Sequence, residues 1–351
     1  MLAAEAVKLR PAVQGDAPVL STFFQRVFQV PPTAMLLDER HMAWKYWRDR
    51  EDWAEPRSFT ARHNETIVAH VSMWPVRILV RDRMLIGAHV IDWAADATHP
   101  GAGIWLMRRM PRTTQAQLLI ATGGTEVTRR TLPVLGFRPF GEIRCYARPV
   151  RPLAQVRTTG EHGWRLAGRL ARNSAWRWSM PTTAPAGWSA ALISPDEIDA
   201  SVWPAPRDGV AVAIRDARFY RYVLASPVTR HELFGVRRHG ELVGYFCLAY
   251  ARHVARIADI WVSTADSDDW RSAICAAYET AARSADVHEV SAWSSTALPA
   301  DAFARAGFRL RDRLPLSLFG NAAPLAGCSL HMQMLDCDAS FVAADEVCYL
   351  T

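Results

Sequence analysis

Residues 58–73 read SFTARHNETIVAHVSM, and residues 233–248 read LFGVRRHGELVGYFCL. In each stretch two segments with alternating apolar residues flank a short polar turn, at residues 63–65 in the first and 238–241 in the second. Alternation with a period of two on both sides of a turn predicts a β-hairpin. The same hairpin is therefore predicted in both halves of the chain, which indicates an internal repeat.

Two further landmarks follow each hairpin in the same order. An apolar strand with an aspartate, Asp92 or Asp259, comes first, and a Gly-Phe pair follows that aspartate after 44 residues in the first copy and 48 in the second. Between the landmarks each copy has helix-like stretches and one short apolar strand. The repeat predicts two α/β units in tandem, each with a mixed sheet of α+β type.

Length and composition agree with a two-domain globular protein. Half of the 351 residues are apolar and 22% are charged, which excludes a disordered or fibrous chain. We expect a first domain at residues 1–150, a Pro-, Arg- and Trp-rich linker at 151–190 and a second domain at 191–351. Residues 161–178 of the linker predict a helix. That helix would either pack between the halves or lie as a basic amphipathic helix on an anionic membrane.

The charge distribution narrows the classes of partner. Residues 101–177 contain 14 basic and three acidic residues, a local excess that suits an anionic cofactor, an acidic partner or a lipid surface. The aromatic and basic repeats of a nucleic-acid reader are absent, so we expect no nucleic-acid partner. The six cysteines are scattered, which predicts no metal site. No apolar run is long enough to span a membrane and no secretory signal is evident, so we expect a cytoplasmic protein.

The order of the predicted elements, residues 7–24 (VKLRPAVQGDAPVLSTFF), the hairpin and a glycine loop after the long strand together resemble the GNAT superfamily of acyl-CoA N-acyltransferases. The second copy resembles it too, so the resemblance spans residues 7–150 and 190–320. It implies two tandem GNAT-like domains and transfer of an acyl group, such as acetyl, from acyl-CoA to an amine of a small molecule. The tandem form is also similar to bacterial proteins of polysaccharide or peptidoglycan precursor chemistry, which implies an amino sugar or a cell-envelope precursor as acceptor.

In that superfamily a glycine loop after the fourth strand holds the pyrophosphate of acyl-CoA, because small residues turn backbone N–H groups inward at a helix N-terminus. Here that pattern falls at residues 100–105, where Pro100 and Trp105 depart from it, and a plain tight turn is the alternative. The matching loop of the second copy, residues 263–269, has no glycine and three carboxylates, so we expect acyl-CoA in the first domain. The residues that the resemblance assigns to the cofactor are Ala95, Gly101, Ala102, Gly103, Ile104, Arg108, Thr122 and Gly123.

Acyl transfer to an amine requires a group that takes a proton from the ammonium and one that returns a proton to the thiolate. The candidate catalytic residues are Asp92, His99 and Glu126, although the counterpart of Asp92 at Asp259 also suits a shared structural role. Where many superfamily members have a tyrosine acid, this chain has Leu132 and Phe303. A non-catalytic GNAT-like scaffold that binds a partner protein is therefore the alternative to an enzyme.

Overall fold

Fourteen β-strands form one mixed sheet in the computed structural model, which describes residues 7–158, 163–179, 183–207, 209–341 and 349–351. The strands of the first half are β1 (Val7–Pro11), β2 (Ser58–His63), β3 (Thr66–Val80), β4 (Arg83–Ala95), β5 (Leu118–Thr122) and β6 (Arg138–Pro149). Those that follow are β7 (Trp188–Leu192), β8 (Val210–Ala213), β9 (Arg230–Arg238), β10 (Glu241–Ala251), β11 (Val254–Val262), β12 (Glu289–Ser294), β13 (Arg309–Gly320) and β14 (Ser329–His331).

The helices lie between these strands in the repeated order that the sequence predicts. In the first half they are α1 (Ala17–Phe28), α2 (Glu39–Met42), α3 (Ala102–Met107), α4 (Met110–Thr113) and α5 (Glu126–Thr131), with a π-helical turn at Ala43–Trp47. The linker contains α6 (Pro152–Thr158) and α7 (Trp164–Ser179), and the second half contains α8 (Ala217–Leu224), α9 (Ser267–Arg283) and α10 (Ala297–Arg305). The predicted hairpins are β2–β3 and β9–β10, so the repeat and the α/β class are confirmed.

The last strands of the two halves are exchanged within the sheet. The sheet order is β1-β2-β3-β4-β5-β13-β6-β12-β11-β10-β9-β7, so β13 of the second half lies between β5 and β6 of the first. In turn β6 pairs with β12, where Cys145 lies opposite Trp293. Along the sheet, neighbouring strands therefore change from one half to the other three times, at β5–β13, β13–β6 and β6–β12. One apolar core accordingly contains residues of both halves, among them Trp74, Ile120 and Trp261.

Two pairs of parallel strands separate before they end. Strands β4 and β5 are paired from Gly87–Leu118 to His89–Ile120 and diverge beyond that point. In the second half β11 and β12 are paired as far as Ile257–Ala292 and then diverge. A β-bulge lies in each long strand just past this point, and at Asp92 the backbone has φ 49°. Each half therefore has a crevice at the carboxyl ends of its parallel strands, where open α/β sheets bind ligands.

None of the helices in the described ranges is long and apolar enough to cross a membrane. The same residues contain no group of three or more His, Cys, Asp or Glu side chains placed to hold a metal ion.

Candidate active site

A cleft of about 320 Å³ occupies the crevice where β4 and β5 of the first half diverge. Its walls come from residues 89–93 of β4, from residues 121–125 at the end of β5 and in the turn after it, and from Leu132 directly after α5. The second half closes the cleft with Trp293 of β12 and with residues 337–339 of the C-terminal segment. Residues far apart in the chain therefore form one site.

A buried lysine holds two carboxylates at this cleft. The Nζ atom of Lys45 is 2.7 Å from Oδ2 of Asp92 and 2.7 Å from Oδ2 of Asp338. The hydroxyl of Tyr46 also donates to Asp92 Oδ2, at 2.7 Å. The Lys45 side chain is 3% exposed and that of Asp92 11%, whereas Asp338 keeps 29% of its surface. Asp338 is therefore the carboxylate that a ligand in the cleft can reach more easily.

The charges of Lys45 and Asp92 each favour the ionised state of the other. Burial opposes ionisation of Asp92, but the charge and hydrogen bond of Lys45 outweigh burial and bring the pKa of Asp92 below its ordinary value. Burial likewise opposes the charge on Lys45, and the two carboxylates outweigh it and raise the pKa of Lys45. The cleft thus has two acidic side chains for one basic one, an excess of acidic groups that attracts a cationic amine.

Two polar atoms in the cleft wall have no hydrogen-bond partner among the described residues, Nδ1 of His89 and Oγ1 of Thr122. Burial lowers the pKa of His89 to about 4, so its imidazole is neutral at physiological pH. A buried polar atom without a partner costs about 1–3 kcal/mol. Both atoms lie in the side chains of cleft-lining residues and have a hydrogen bond still to make.

The turn after β5 lies in the cleft wall. Gly123 and Gly124 have φ of 66° and 83°, a conformation that favours glycine and leaves the backbone open to close approach. Thr125 caps α5, since its side chain accepts a hydrogen bond from the Thr128 N–H at 3.2 Å. Of the residues predicted to contact the cofactor, Thr122 and Gly123 line the cleft.

The glycine loop after β4 lies next to the cleft but not in its wall. Gly101 has φ 88° and precedes α3, a helix of six residues. A Cβ atom at Gly103 would lie 3.0 Å from Ala95 Cβ and 3.2 Å from Trp93 Nε1. The Trp93 indole donates to the Gly103 carbonyl at 3.2 Å. Close packing against β4 therefore favours glycine at residue 103, and the cofactor role of this loop stays a prediction.

The other predicted site residues lie outside the cleft wall. Ala95, Ala102, Ile104 and Arg108 do not line it, and neither do the candidate catalytic residues His99 and Glu126. His99 Nδ1 lies 3.0 Å from Thr98 Oγ1 on an exposed loop, and Glu126 forms a salt bridge with Arg130 on the surface of α5. Of the three predicted catalytic side chains, the structure brings only Asp92 into the cleft.

Sequence reasoning missed Lys45, His89 and Asp338. Lys45 carries a signal that could have drawn attention, because it is one of only two lysines in a chain with 41 basic residues. His89 follows the pattern of a buried strand, and no local pattern distinguishes Asp338 from other acidic residues of the C-terminal segment. Asp338 and Lys45 are 293 positions apart, so only the folded chain joins them.

The second half repeats the charge arrangement with arginine in place of lysine. Arg215 Nε donates to Asp259 Oδ2 at 2.9 Å, and its Nη2 donates to Asp336 Oδ1 at 2.8 Å. The hydroxyl of Tyr220 also donates to Asp259, as Tyr46 does to Asp92. Asp92 and Asp259 therefore share a structural role as buried partners of a cation.

The crevice of the second half is filled by the chain itself. Gln333 bonds both backbone groups of Ile260 on β11, accepting from its N–H at 2.9 Å and donating to its carbonyl at 2.8 Å. Ser295, directly after β12, accepts from the Met332 N–H at 2.7 Å and donates to the Leu330 carbonyl at 2.6 Å. Residues 330–333 thus bridge the two diverging strands, through the backbone of Ile260 on β11 and the side chain of Ser295 after β12.

With this geometry established, comparison with known proteins identifies the domain type. The family model of the acetyltransferase (GNAT) domain matches residues 8–118. Residues 8–118 are thus similar to a GNAT acetyltransferase domain. The match covers β1 to the start of β5 and so includes Lys45, His89 and Asp92 of the cleft.

Solved structures show the same fold over most of the chain. A Saccharomyces cerevisiae N-myristoyltransferase with bound myristoyl-CoA is 13% identical with a TM-score of 0.59, covering 91% of this chain and 84% of that one. A tandem GNAT protein from the clavulanic acid biosynthesis pathway is 16% identical with a TM-score of 0.56, covering 89% and 98%. A probable N-acyltransferase of unknown function from Enterococcus faecalis V583 is 13% identical with a TM-score of 0.57, covering 89% and 71%. No curated protein matches the sequence. The predicted tandem GNAT fold is thus confirmed.

Proposed function

We propose that this GNAT protein transfers an acyl group from acyl-CoA to an amine of a small molecule in the cleft of the first half. The observation that carries the proposal is the carboxylate-bearing cleft between β4 and β5, in the half that matches the GNAT acetyltransferase domain. The corresponding crevice of the second half is filled by residues 330–333, which leaves one cleft for the reaction. This supports the expectation that the first half is the acyl-CoA-binding one.

The residues of the cleft suit both substrates. Acyl-CoA would lie along the Thr122–Thr125 turn, where two glycines without side chains leave the backbone open to contact. Residues 101–104 and Arg108 would lie near the phosphates of acyl-CoA. An amine enters as an ammonium ion, which the carboxylates attract. Asp338, the more exposed of the two, accepts a proton from that ammonium. The free amine then forms a bond to the thioester carbonyl carbon, the carbon–sulfur bond breaks, and the second proton of the nitrogen passes to the departing thiolate, so that coenzyme A leaves as the thiol.

For the acceptor we propose a chemical class. The volume of about 320 Å³ and the net negative charge fit a small amine, for which an amino sugar or a cell-envelope precursor is our candidate. A cytoplasmic location, where acyl-CoA is made, is part of the same proposal. Asp92 is the sequence-predicted catalytic residue that we retain, as the buried partner that orients Lys45 and Asp338.

Titration calorimetry with acetyl-CoA and longer acyl-CoAs tests the proposal. Gly123→Trp would place a large side chain at the cleft wall, and Gly240→Trp is its matched control. Both glycines have positive φ, 66° and 88°, and Gly240 lies at the tip of the β9–β10 hairpin with no atom within 4 Å of an added Cβ. We expect wild-type and Gly240→Trp protein to bind acyl-CoA and Gly123→Trp to bind more than about tenfold more weakly, a loss of about 1.4 kcal/mol.

The alternative of a non-catalytic scaffold has one observation in its favour. Leu132 lies in the cleft wall and is 5% exposed, so the position where related enzymes have a proton donor offers none. On that hypothesis the wild-type protein would bind no acyl-CoA, and a search for partner proteins would follow. Enzyme-dependent formation of an acylated amine would exclude it.

A further inference from the structure

Helix α7 exposes an apolar face to solvent. One side of the helix packs on the protein, where Trp176 Nε1 donates to the Gly307 carbonyl at 2.8 Å and Asn173 Nδ2 donates to Gln155 Oε1 at 3.1 Å. The opposite side carries Trp164 and Trp178, which are 81% and 86% exposed. The exposed residues between these two tryptophans on that side are small, namely Ala167, Gly168, Ala171 and Ala175.

The two exposed tryptophans lie on one line along the helix. They are 14 positions apart in the sequence, which corresponds to about 21 Å along the axis and a difference of about 40° around it. Helices at the surface of a globular protein normally turn their polar side to solvent. An apolar strip with an aromatic side chain at each end therefore marks a surface that binds something.

Arginines border this strip. Arg165 and Arg172 lie along one edge of it, and with Trp164 and Arg311 of β13 they line a surface cavity of about 460 Å³. Neither Arg165 nor Arg311 forms a salt bridge with any residue in the described part of the chain. Residues 149–179 contain six arginines and one acidic residue, Glu161. The partner that complements this border is anionic.

We propose that α7 docks the protein on an anionic phospholipid bilayer. Trp164 and Trp178 would enter the boundary between head groups and acyl chains, where tryptophan partitions well, and the arginines would meet the lipid phosphates. A bilayer is favoured over a protein partner because the strip has no large side chain between its ends and its border carries one sign of charge. The other role predicted for residues 161–178 is packing between the halves. That packing uses the opposite face of the helix, so it is compatible with membrane docking. Residues 161 and 162 lie outside the described residues.

Sedimentation with vesicles tests the proposal on the full-length protein. The probes are vesicles of phosphatidylcholine with phosphatidylserine and vesicles of phosphatidylcholine alone, at low and high salt. We expect wild-type protein to pellet with the anionic vesicles and to be released by salt. Trp164→Ala with Trp178→Ala should abolish pelleting. Arg165→Gln with Arg172→Gln should weaken it about thirtyfold, at about fivefold for each arginine.

A matched control removes apolar surface elsewhere. Val127 and Val134 are 74% and 64% exposed on and just after α5, so Val127→Ala with Val134→Ala should leave pelleting unchanged. Equal urea midpoints would show that all variants are folded. The proposal is wrong if wild-type protein does not pellet with anionic vesicles, or if the tryptophan pair can be removed without effect. A dimer in sedimentation velocity that the tryptophan variant abolishes would also overturn it, because a second copy would then cover the strip. Acyl-CoA binding should be equal in all these variants, so failure here leaves the proposed function untouched.

Discussion

Replacement of Lys45 by methionine should destabilise the protein by about 3–5 kcal/mol, the cost of breaking a buried ion pair by removing one partner. Methionine has nearly the shape of the lysine stem, so the change removes mainly the charge. Lys45 is 3% exposed and Asp92 11%, so Asp92 would remain buried without its cation. Asp338 at 29% exposure recovers part of its hydration and contributes less to the loss.

Urea unfolding at neutral pH measures this loss of stability. The pKa of Asp92 determines how the loss changes with pH. Lys45 lowers the pKa of Asp92 in the folded protein below the ordinary value of 3.8. The pair therefore stabilises the fold fully above that value, and its contribution is lost as pH falls through the lower folded pKa. The difference in unfolding free energy between wild type and Lys45→Met should accordingly shrink in acid, where Asp92 becomes protonated in the variant.

Two further variants decide whether the reasoning holds. Lys8→Met removes the other lysine, which is exposed on β1, and should change the unfolding free energy by less than about 0.5 kcal/mol. Adding Asp92→Asn to Lys45→Met removes the orphaned charge and should recover a large part of the loss. If Lys45→Met were as stable as Lys8→Met at neutral pH, the assignment of this buried ion pair would be refuted.

Two predictions concern Asp338 and the buried histidines. Asp338→Asn should lower the rate of acyl transfer at least about tenfold while acyl-CoA affinity in calorimetry stays within about twofold of wild type; equal loss of both would show that the carboxylate only holds the cleft together. Burial lowers the pKa of His70, His89, His231 and His331 to about 4, below the 6.5 of an exposed histidine. Between those values the unfolded chain takes up protons that the folded chain does not, so the unfolding free energy should fall as pH drops below 6.5. A urea midpoint that is equal at about pH 7.5 and about pH 5 would contradict this.

The sequence located part of the candidate site. Of the residues that the sequence proposed for the site, Asp92, Thr122 and Gly123 line the cleft, because the bulged part of β4 and the end of β5 form its wall. His99 and Glu126 were proposed because they are near those strands in the sequence. In the structure His99 lies on an exposed loop and Glu126 on the surface of α5, so neither side chain lines the cleft. The same reasoning could not show that close contact with Trp93 and Ala95 favours glycine at residue 103, since that contact depends on how α3 packs on β4.

What the sequence by itself determined about this protein is its local and repeated structure. Period-two alternation and polar turns place both hairpins, and the similar spacing of Asp92 and Asp259 from their Gly-Phe pairs, 44 and 48 residues, indicates the tandem α/β arrangement. These features depend on residues close together in the chain, so each can be inferred from a short window.

Only the tertiary structure decided which residues share the cleft and which crevice is open. The exchange of β6 and β13, the contact of Lys45 with Asp338 and the filling of the second crevice by residues 330–333 all join distant segments. The physical reason is that such contacts follow from the packing of the whole sheet. Burial, charge pairing and backbone hydrogen bonding select one arrangement among many that are locally equivalent.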